Sequence, residues 1–399
     1  MLYNLLPFLI ISPPLFYGLF SLYCARDFFS RSHRVDRSSP PVTILKPVKG
    51  LDPESFANFA SFCRQDYPRF QIVFVAASPN DPVIKVIRDL ITQYPDVDME
   101  LVIDDRIYGA NYKVCNLINA YHRAKYDILI VCDCDILVDP LYLRQVIAPF
   151  ADPAVGLVTS LYRSTKVRGF ATALEAMGFS SEMVPNVMVA MKLEGLSFAM
   201  GATMALRREA LLKIGGFHAL VDYLADDYQL GQMVRRAGYK LRLSRHYVES
   251  VMKRESLKEI VSRQLRWART MRASRPAGFF ASGITQTVPL ALFALIASGP
   301  SAAGGWAVLL LTSVRIVSAV TFSRFYVRDA ILPRFLWLLP LRDILSSMTW
   351  ALSFLGNRVV WRGALFRILP GGKIIEVKKK LPESNPGTRS FHPGFTDGN

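Results

Sequence analysis

The apolar run Ile128-Leu-Ile-Val-Cys132 is followed at once by Asp133-Cys134-Asp135. Five apolar residues, largely β-branched, have the length and character of a strand buried on both faces. Such strands belong to mainly parallel sheets covered by helices. Two carboxylates one residue apart then close the strand. Open α/β sheets bind ligands beyond the carboxyl ends of their strands, where the chain turns outward. An Asp-x-Asp pair there offers the hard oxygen donors that suit Mg²⁺ or Mn²⁺, ions usually shared with substrate phosphates. The plainer alternative is a strand that ends in solvated acids.

The surrounding chain fits the same kind of sheet. Val42–Leu45, Gln71–Ala76, Leu101–Ile103 and Gly156–Ser160 read as strands. Ser55–Cys63, Asn111–His122 and Leu230–Ala237 read as helices, as does the stretch opened by Asp81-Pro82. In that stretch Asp81 stands at the N-cap and Val83, Ile87 and Leu90 share one face. Strands alternating with helices at this spacing make βαβ units. A Gly-rich phosphate loop of the Walker type is missing, which removes that class of NTPase. The five cysteines include no Cys-x-x-Cys pair, so a disulfide framework or structural zinc is not expected.

Membrane character comes from the ends. Residues Leu2–Cys24 carry no charge and are long enough to cross a bilayer core of about 30 Å. Arg26, Arg31, Arg34 and Arg37 follow, which by the positive-inside rule orients the main domain toward the cytoplasm, on the inner membrane. Ala277–Gly299 and Ser301–Ser323 form an apolar hairpin interrupted only by Arg315. Phe335–Leu355 holds Arg342-Asp343 and is a third span or a re-entrant segment. Between domain and hairpin, Arg263, Arg266, Arg269, Arg272 and Arg275 recur every three residues, a basic stripe expected at lipid headgroups. The formal charge of +16 therefore points to anionic lipid or a phosphorylated substrate and not to nucleic acid. The expected organisation is an N-terminal span (1–25), an α/β domain (26–252), a basic interfacial helix (253–276), a multi-pass membrane region (277–357) and a basic tail (358–399) whose end is disordered by composition.

Several motifs in one order then carry a resemblance. Pro41-Val-Thr-Ile-Leu-Lys-Pro-Val-Lys-Gly-Leu-Asp-Pro53, Cys63-Arg-Gln-Asp-Tyr-Pro68, Asn80-Asp-Pro82, Gly109-Ala-Asn-Tyr-Lys-Val-Cys-Asn-Leu117, Cys132-Asp133, Ala225-Asp-Asp-Tyr228 and Arg263-Gln-Leu-Arg-Trp267 resemble the ceramide glucosyltransferase family. Leu224-Ala-Asp-Asp-Tyr228 and Leu265-Arg-Trp-Ala-Arg-Thr270 look most like its bacterial, hopanoid-associated branch. The resemblance implies a GT-A fold, a mainly parallel sheet sandwiched by helices. It also implies inverting transfer of a sugar, glucose or N-acetylglucosamine, from a UDP-sugar to the hydroxyl of a membrane lipid such as ceramide or a hopanoid polyol. By motif, Asp81 falls on the acid expected at the uracil. Lys46, Lys113, Asp133 and Arg263 are expected around the donor, and Asp227 is the expected general base. Arg266 and Trp267 complete the catalytic motif, with Arg266 neutralising the leaving diphosphate. The family often has Asp-Ser-Gly where this chain has Asp133-Cys-Asp135, so Asp135 joins Asp133 as a metal ligand here. Two alternatives stay open: a polysaccharide synthase-like enzyme, and an inactive lipid-binding membrane protein.

Overall fold

A computed structural model describes residues 2–31, 39–52, 54–164, 166–299 and 301–377, with the side chains of 2–4 left aside. Arg34, Arg37 and Pro53, named above, and the tail from residue 378 on lie outside the described residues.

The main domain is built on eight strands: β1 (Val42–Pro47), β2 (Phe70–Ala76), β3 (Asp98–Ile103), β4 (Ile128–Cys132), β5 (Ile136–Leu137), β6 (Val155–Arg163), β7 (Thr203–Arg207) and β8 (Lys240–Ser250). Their order across the sheet is β3-β2-β1-β4-β7-β6-β8-β5. The β1–β2, β2–β3, β1–β4 and β6–β8 pairs are parallel, while β7 runs antiparallel between β4 and β6. All of β4 is buried. Its alternate residues feed two cores: Ile128 and Ile130 pack with Phe59, Phe74 and Ile87 on one face, and Leu129 and Val131 with Leu117, Leu206 and Leu230 on the other.

The order 3-2-1-4 has a consequence for the site. After β1 the chain builds outward through β2 and β3, then returns to place β4 on the other side of β1. This reversal opens a crevice outside the carboxyl ends of β1 and β4, the usual ligand position of such sheets. Lys46 lies near the end of β1 and Asp133 just beyond β4, so both edges of the crevice carry charge.

The membrane-facing half departs from expectation in two ways. Two helices, Leu5–Ser30 and Ala302–Val327, are long and apolar enough to cross a bilayer. Residues 277–299 do not form one straight span: Pro276–Thr285 and Thr287–Ser298 meet at 60°. The Phe335–Leu355 stretch is broken as well, and its main helix, Leu339–Ser353, has 15 residues, or roughly 22 Å at 1.5 Å per residue, short of a bilayer core. The N-terminal helix packs its Ile11 against Ala291, Ala294, Ala307 and Leu311 of the two helices after residue 286.

The basic stripe is the second correction. Helix Leu257–Ser274 starts at a capping box in which Ser256 and Glu259 satisfy each other's backbone N–H. Its arginines mostly turn inward. Arg263 pairs with Glu175 and Glu255, and Arg275 with Glu194. Arg269 donates to the carbonyls of Leu355 (2.8 Å) and Arg358 (2.6 Å), and Arg272 to that of Gly356 (2.8 Å). These guanidinium groups fasten the helix to the protein, because an unpaired charge at a half-buried position is costly. The first part of the tail, for which the sequence offered only its basic charge, is folded. Residues 358–376 form an antiparallel sheet of β9 (Arg358–Trp361), β10 (Ala364–Ile368) and β11 (Ile374–Glu376), ordered β11-β10-β9. Val359, Phe366, Ile368 and Ile374 pack against Leu224.

Candidate active site

Three chain segments meet at the crevice. The first is the turn after β4. The backbone N–H of Asp133 donates to Ala202 (3.3 Å), and its carbonyl accepts from the Lys46 ammonium (3.0 Å). The second is helix Tyr112–Tyr121. Asn111 caps it by accepting the Val114 N–H, so Lys113 projects from the first turn. The third is helix Asp226–Arg236, which begins with two carboxylates where the helix dipole favours negative charge. Gly231 lets this helix close on its neighbour: a Cβ there would stand 2.6 Å from the Phe198 Cα. A Cβ at Gly201 would likewise meet an Asp227 oxygen at 3.0 Å.

Lys113 ties these segments together. Its ammonium lies 2.7 Å from Asp133 and 3.6 Å from Asp226 and is almost fully buried. Burial alone would lower its pKa, but the charges of Asp133, Asp226 and Asp227 more than reverse that and hold it raised. Asn111 reaches the same group, donating to the Tyr223 carbonyl (2.7 Å) and to Asp226 (3.4 Å).

The acids still outnumber the cation. Burial, and after it the charge of Asp226, raises Asp227 to about 6; Lys113 and the Tyr228 N–H (2.7 Å) pull the other way. Burial followed by the charge of Asp133 raises Asp135 to about 6 as well. Buried carboxylates, each crowded by a neighbouring acid, mark a place short of positive charge. Among the described residues no group of three or more His, Cys, Asp or Glu side chains surrounds one point. Asp133 and Asp135 therefore fit a divalent cation that takes one or two carboxylates and completes its shell with phosphate and water.

The expected site residues separate into groups. Asp133, Asp135, Lys113 and Asp227 gather at the crevice. The Arg266 guanidinium makes no hydrogen bond or ion pair among the described residues, and the field of Asp227 reaches it. Trp267, 40% exposed, has the guanidinium groups of Arg263 and Arg266 near its ring. Asp81 sits on the β1 side, accepting the N–H groups of Gly50 (2.9 Å) and Val83 (3.0 Å). Two expected donor contacts take other roles. Lys46 is fully buried, over the Phe62 ring, and supports the Asp133 turn from below. Arg263 has its guanidinium held by Glu175 and Glu255, so in this conformation it orients its helix.

Sequence reasoning missed Glu175, Glu182 and Tyr162. The first two are acids isolated in the apolar stretch 169–195, a placement that calls for a partner and was the available signal. They open onto a cavity of about 610 Å³. Tyr162, Glu175, Tyr228 and Trp267 line its end nearest the crevice; Pro14, Val314 and Trp350 line it among the membrane helices. Inside it Arg342 binds Glu182 (2.8 Å) and Gln264 (2.8 Å), while Asp343 binds Arg315 (2.5 Å). The adjacent Arg342 and Asp343 thus both line the cavity and are both paired, each with a different helix.

The comparisons with known proteins agree with this architecture. The model of glycosyl transferase family 21 matches residues 6–374. Ceramide glucosyltransferase 1 of Caenorhabditis elegans is 24% identical over 384 residues, covering 92% of this chain and 79% of that protein. Ceramide glucosyltransferase of Candida albicans is 44% identical over 108 residues, 24% of this chain and 20% of its own length. Among solved structures, the mannosyltransferase PcManGT of Pyrobaculum calidifontis, in complex with GDP-Man and Mn2+, superposes with a TM-score of 0.53 at 19% identity, covering 88% of this chain and 99% of that one. The fold is GT-A-like.

The Lys113 knot predicts a pH-dependent stability defect. In Lys113→Met the buried acids lose their cation, and unfolding free energy at pH 8 should fall by about 3–5 kcal/mol. Lys113 holds the folded-state pKa of Asp227 down; without it that pKa rises further, so the variant gains stability relative to wild type as pH falls. Denaturation of the detergent-solubilised protein should show the gap narrowing between pH 8 and pH 5.5. A gap that is constant or widens on acidification contradicts the assignment.

Proposed function

Because the chain belongs to glycosyl transferase family 21, we propose that it transfers glucose or N-acetylglucosamine from a UDP-sugar to the hydroxyl of a ceramide-like membrane lipid. The observation that carries this reading is the continuity between the acid cluster and the apolar cavity. Tyr228, next to Asp227, lines the cavity whose far end lies among the membrane helices. A water-soluble donor enters from the sheet side and a lipid from the membrane side. The names of the curated relatives support a ceramide-like acceptor.

In the proposed reaction Asp227 takes the proton of the acceptor hydroxyl as its oxygen attacks the anomeric carbon. The bond from that carbon to the diphosphate breaks, and UDP leaves with the electron pair. This single displacement inverts the anomeric centre. A carboxylate near pKa 6 is well matched to this proton transfer, being ionised at neutral pH and more basic than an exposed aspartate. Arg266, charged and unpaired, is available to the departing diphosphate. Trp267 offers an aromatic face to the sugar or the lipid, and Asp81 is the group proposed for the uracil. Asp133 and Asp135 would hold Mg²⁺ or Mn²⁺, which when bound stabilises charge on the leaving diphosphate. The Mn2+ in the mannosyltransferase complex supports that choice of ion.

The direct test is mass spectrometry of lipids made by the purified protein in lipid nanodiscs with UDP-sugars. Asp227→Asn should lose about 10²–10⁴-fold in turnover. Since the base works ionised, wild-type kcat/KM should hold above pH 6 and fall as pH drops through it. Asp135→Asn should lose both the stimulation by divalent cation and the Mn²⁺ binding seen by electron paramagnetic resonance. Full activity of either variant, or in excess chelator, removes its assigned role.

The acceptor route has its own test. Ala190 lines the cavity, and Ala190→Trp should lower transfer to lipid about tenfold or more, as overpacking does. Hydrolysis of the donor by water should persist. Unchanged transfer places the lipid elsewhere.

We also propose that the α/β domain faces the cytoplasm, on the ground that Arg26 and Arg31 follow the apolar part of the first helix. Cysteine placed at the exposed Ser78 should resist an impermeant thiol reagent in intact cells and react once they are lysed. Labelling from outside reverses the orientation.

A further inference from the structure

The C-terminal sheet is fastened from two sides. On one side the arginines of helix Leu257–Ser274 hold it: Arg272 binds the Gly356 carbonyl (2.8 Å), and Arg269 that of Arg358 (2.6 Å). On the other it holds the segment that leads into Asp226. Ile374 N–H donates to Asp222 (2.7 Å), Leu224 N–H to Gly372 (3.3 Å), and the Gln229 amide to Gly371 (3.0 Å). Arg269 holds both Leu355 (2.8 Å) and Arg358 (2.6 Å), so β9 starts against this helix about one turn from Arg266.

At the end of β9 stands Arg362. Trp361 pairs with Ala364, so Arg362 and Gly363 alone make the β9–β10 loop. Both have positive φ, 50° and 87°. Two-residue loops of this kind favour Asn-Gly or Gly-Gly, because a side chain is disfavoured in left-handed backbone. What arginine offers the turn is the approach of its guanidinium to the Trp361 ring, an exposed and weak contact. Its guanidinium is exposed, near the Trp361 ring, and makes no ion pair among the described residues. Arg266 is also unpaired, and burial together with the charges of Arg263 and Arg362 pulls it down to about 10. Two unpaired guanidinium groups, one carried by the helix and one by the loop of the sheet fastened to it, suit a dianionic ligand, which each binds through charge-assisted hydrogen bonds.

We propose that Arg362 is a second diphosphate-binding residue, presented by the β9–β10 loop alongside Arg266, so that the C-terminal sheet caps the phosphates of the donor. This rests on the reading of the donor as a UDP-sugar.

The turn itself provides the discriminating variant. Glycine is better than arginine at φ 50°. If Arg362 served the turn only, Arg362→Gly would be neutral or improved in every respect. With the full chain in nanodiscs and Mg²⁺ present, the binding of UDP and of UMP is measured by calorimetry, and the unfolding midpoint by scanning fluorimetry. Arg362→Gly should keep or raise the midpoint and weaken UDP about tenfold or more, the usual range for losing one charged hydrogen bond. UMP, which lacks the β-phosphate, should lose much less, and Arg362→Lys should recover part of the UDP affinity. Wild-type affinity for UDP in Arg362→Gly overturns the proposal. So does an equal loss for UDP and UMP together with a lower midpoint, which assigns the residue to structure. If the wild-type chain itself fails to bind UDP, the donor reading falls, and the proposal with it.

Discussion

The site depends on one buried ammonium. Lys113 reaches Asp133 beyond β4 and Asp226 at the head of its helix, and the field of Asp227 adds to both. Three segments far apart in the chain are held at one point by this charge. A single cation does not balance three carboxylates, and the imbalance is useful. It leaves Asp227 with a raised pKa and leaves the Asp133–Asp135 edge short of positive charge. One electrostatic arrangement therefore positions a base and prepares a place for a cation.

The same rule, that a charge removed from water must be partnered, organises the membrane-facing half. Glu182, Arg342, Gln264, Arg315 and Asp343 form two linked polar contacts between helices that are otherwise apolar. They join the 170–194 segment to the helices at 302–321 and 339–353, around the cavity. Glu175 acts similarly at the other end by fixing Arg263, and through it the helix that presents Arg266 and Trp267. With Arg263, Arg269, Arg272 and Arg275 all directed at protein acceptors, Arg266 is the arginine of that series left for a ligand.

The sequence by itself determined the sheet and the acids. An apolar five-residue strand ending in Asp-x-Asp has few other places to go than the buried middle of a sheet, and β4 is there, parallel to β1 on one side and antiparallel to β7 on the other. The helices expected at Asn111–His122 and Leu230–Ala237 are present, the first capped by Asn111 and the second beginning already at Asp226, because helix formation and capping are decided by neighbours a few residues away. Pairing is another matter. Whether an arginine meets lipid, phosphate or a glutamate depends on what lies across the fold. Arg263 and Glu175 are 88 residues apart, and Arg342 and Glu182 are 160 apart. The stripe of arginines thus read as a lipid-facing surface and is mostly a set of internal fastenings. The first part of the basic tail is a sheet that the sequence reading did not foresee, since short strands rich in arginine show little periodicity until a core residue such as Leu224 gives them something to cover. Composition and local pattern fixed which residues carry charge; only the tertiary structure decided which of those charges were already neutralised, and so which remain for a ligand.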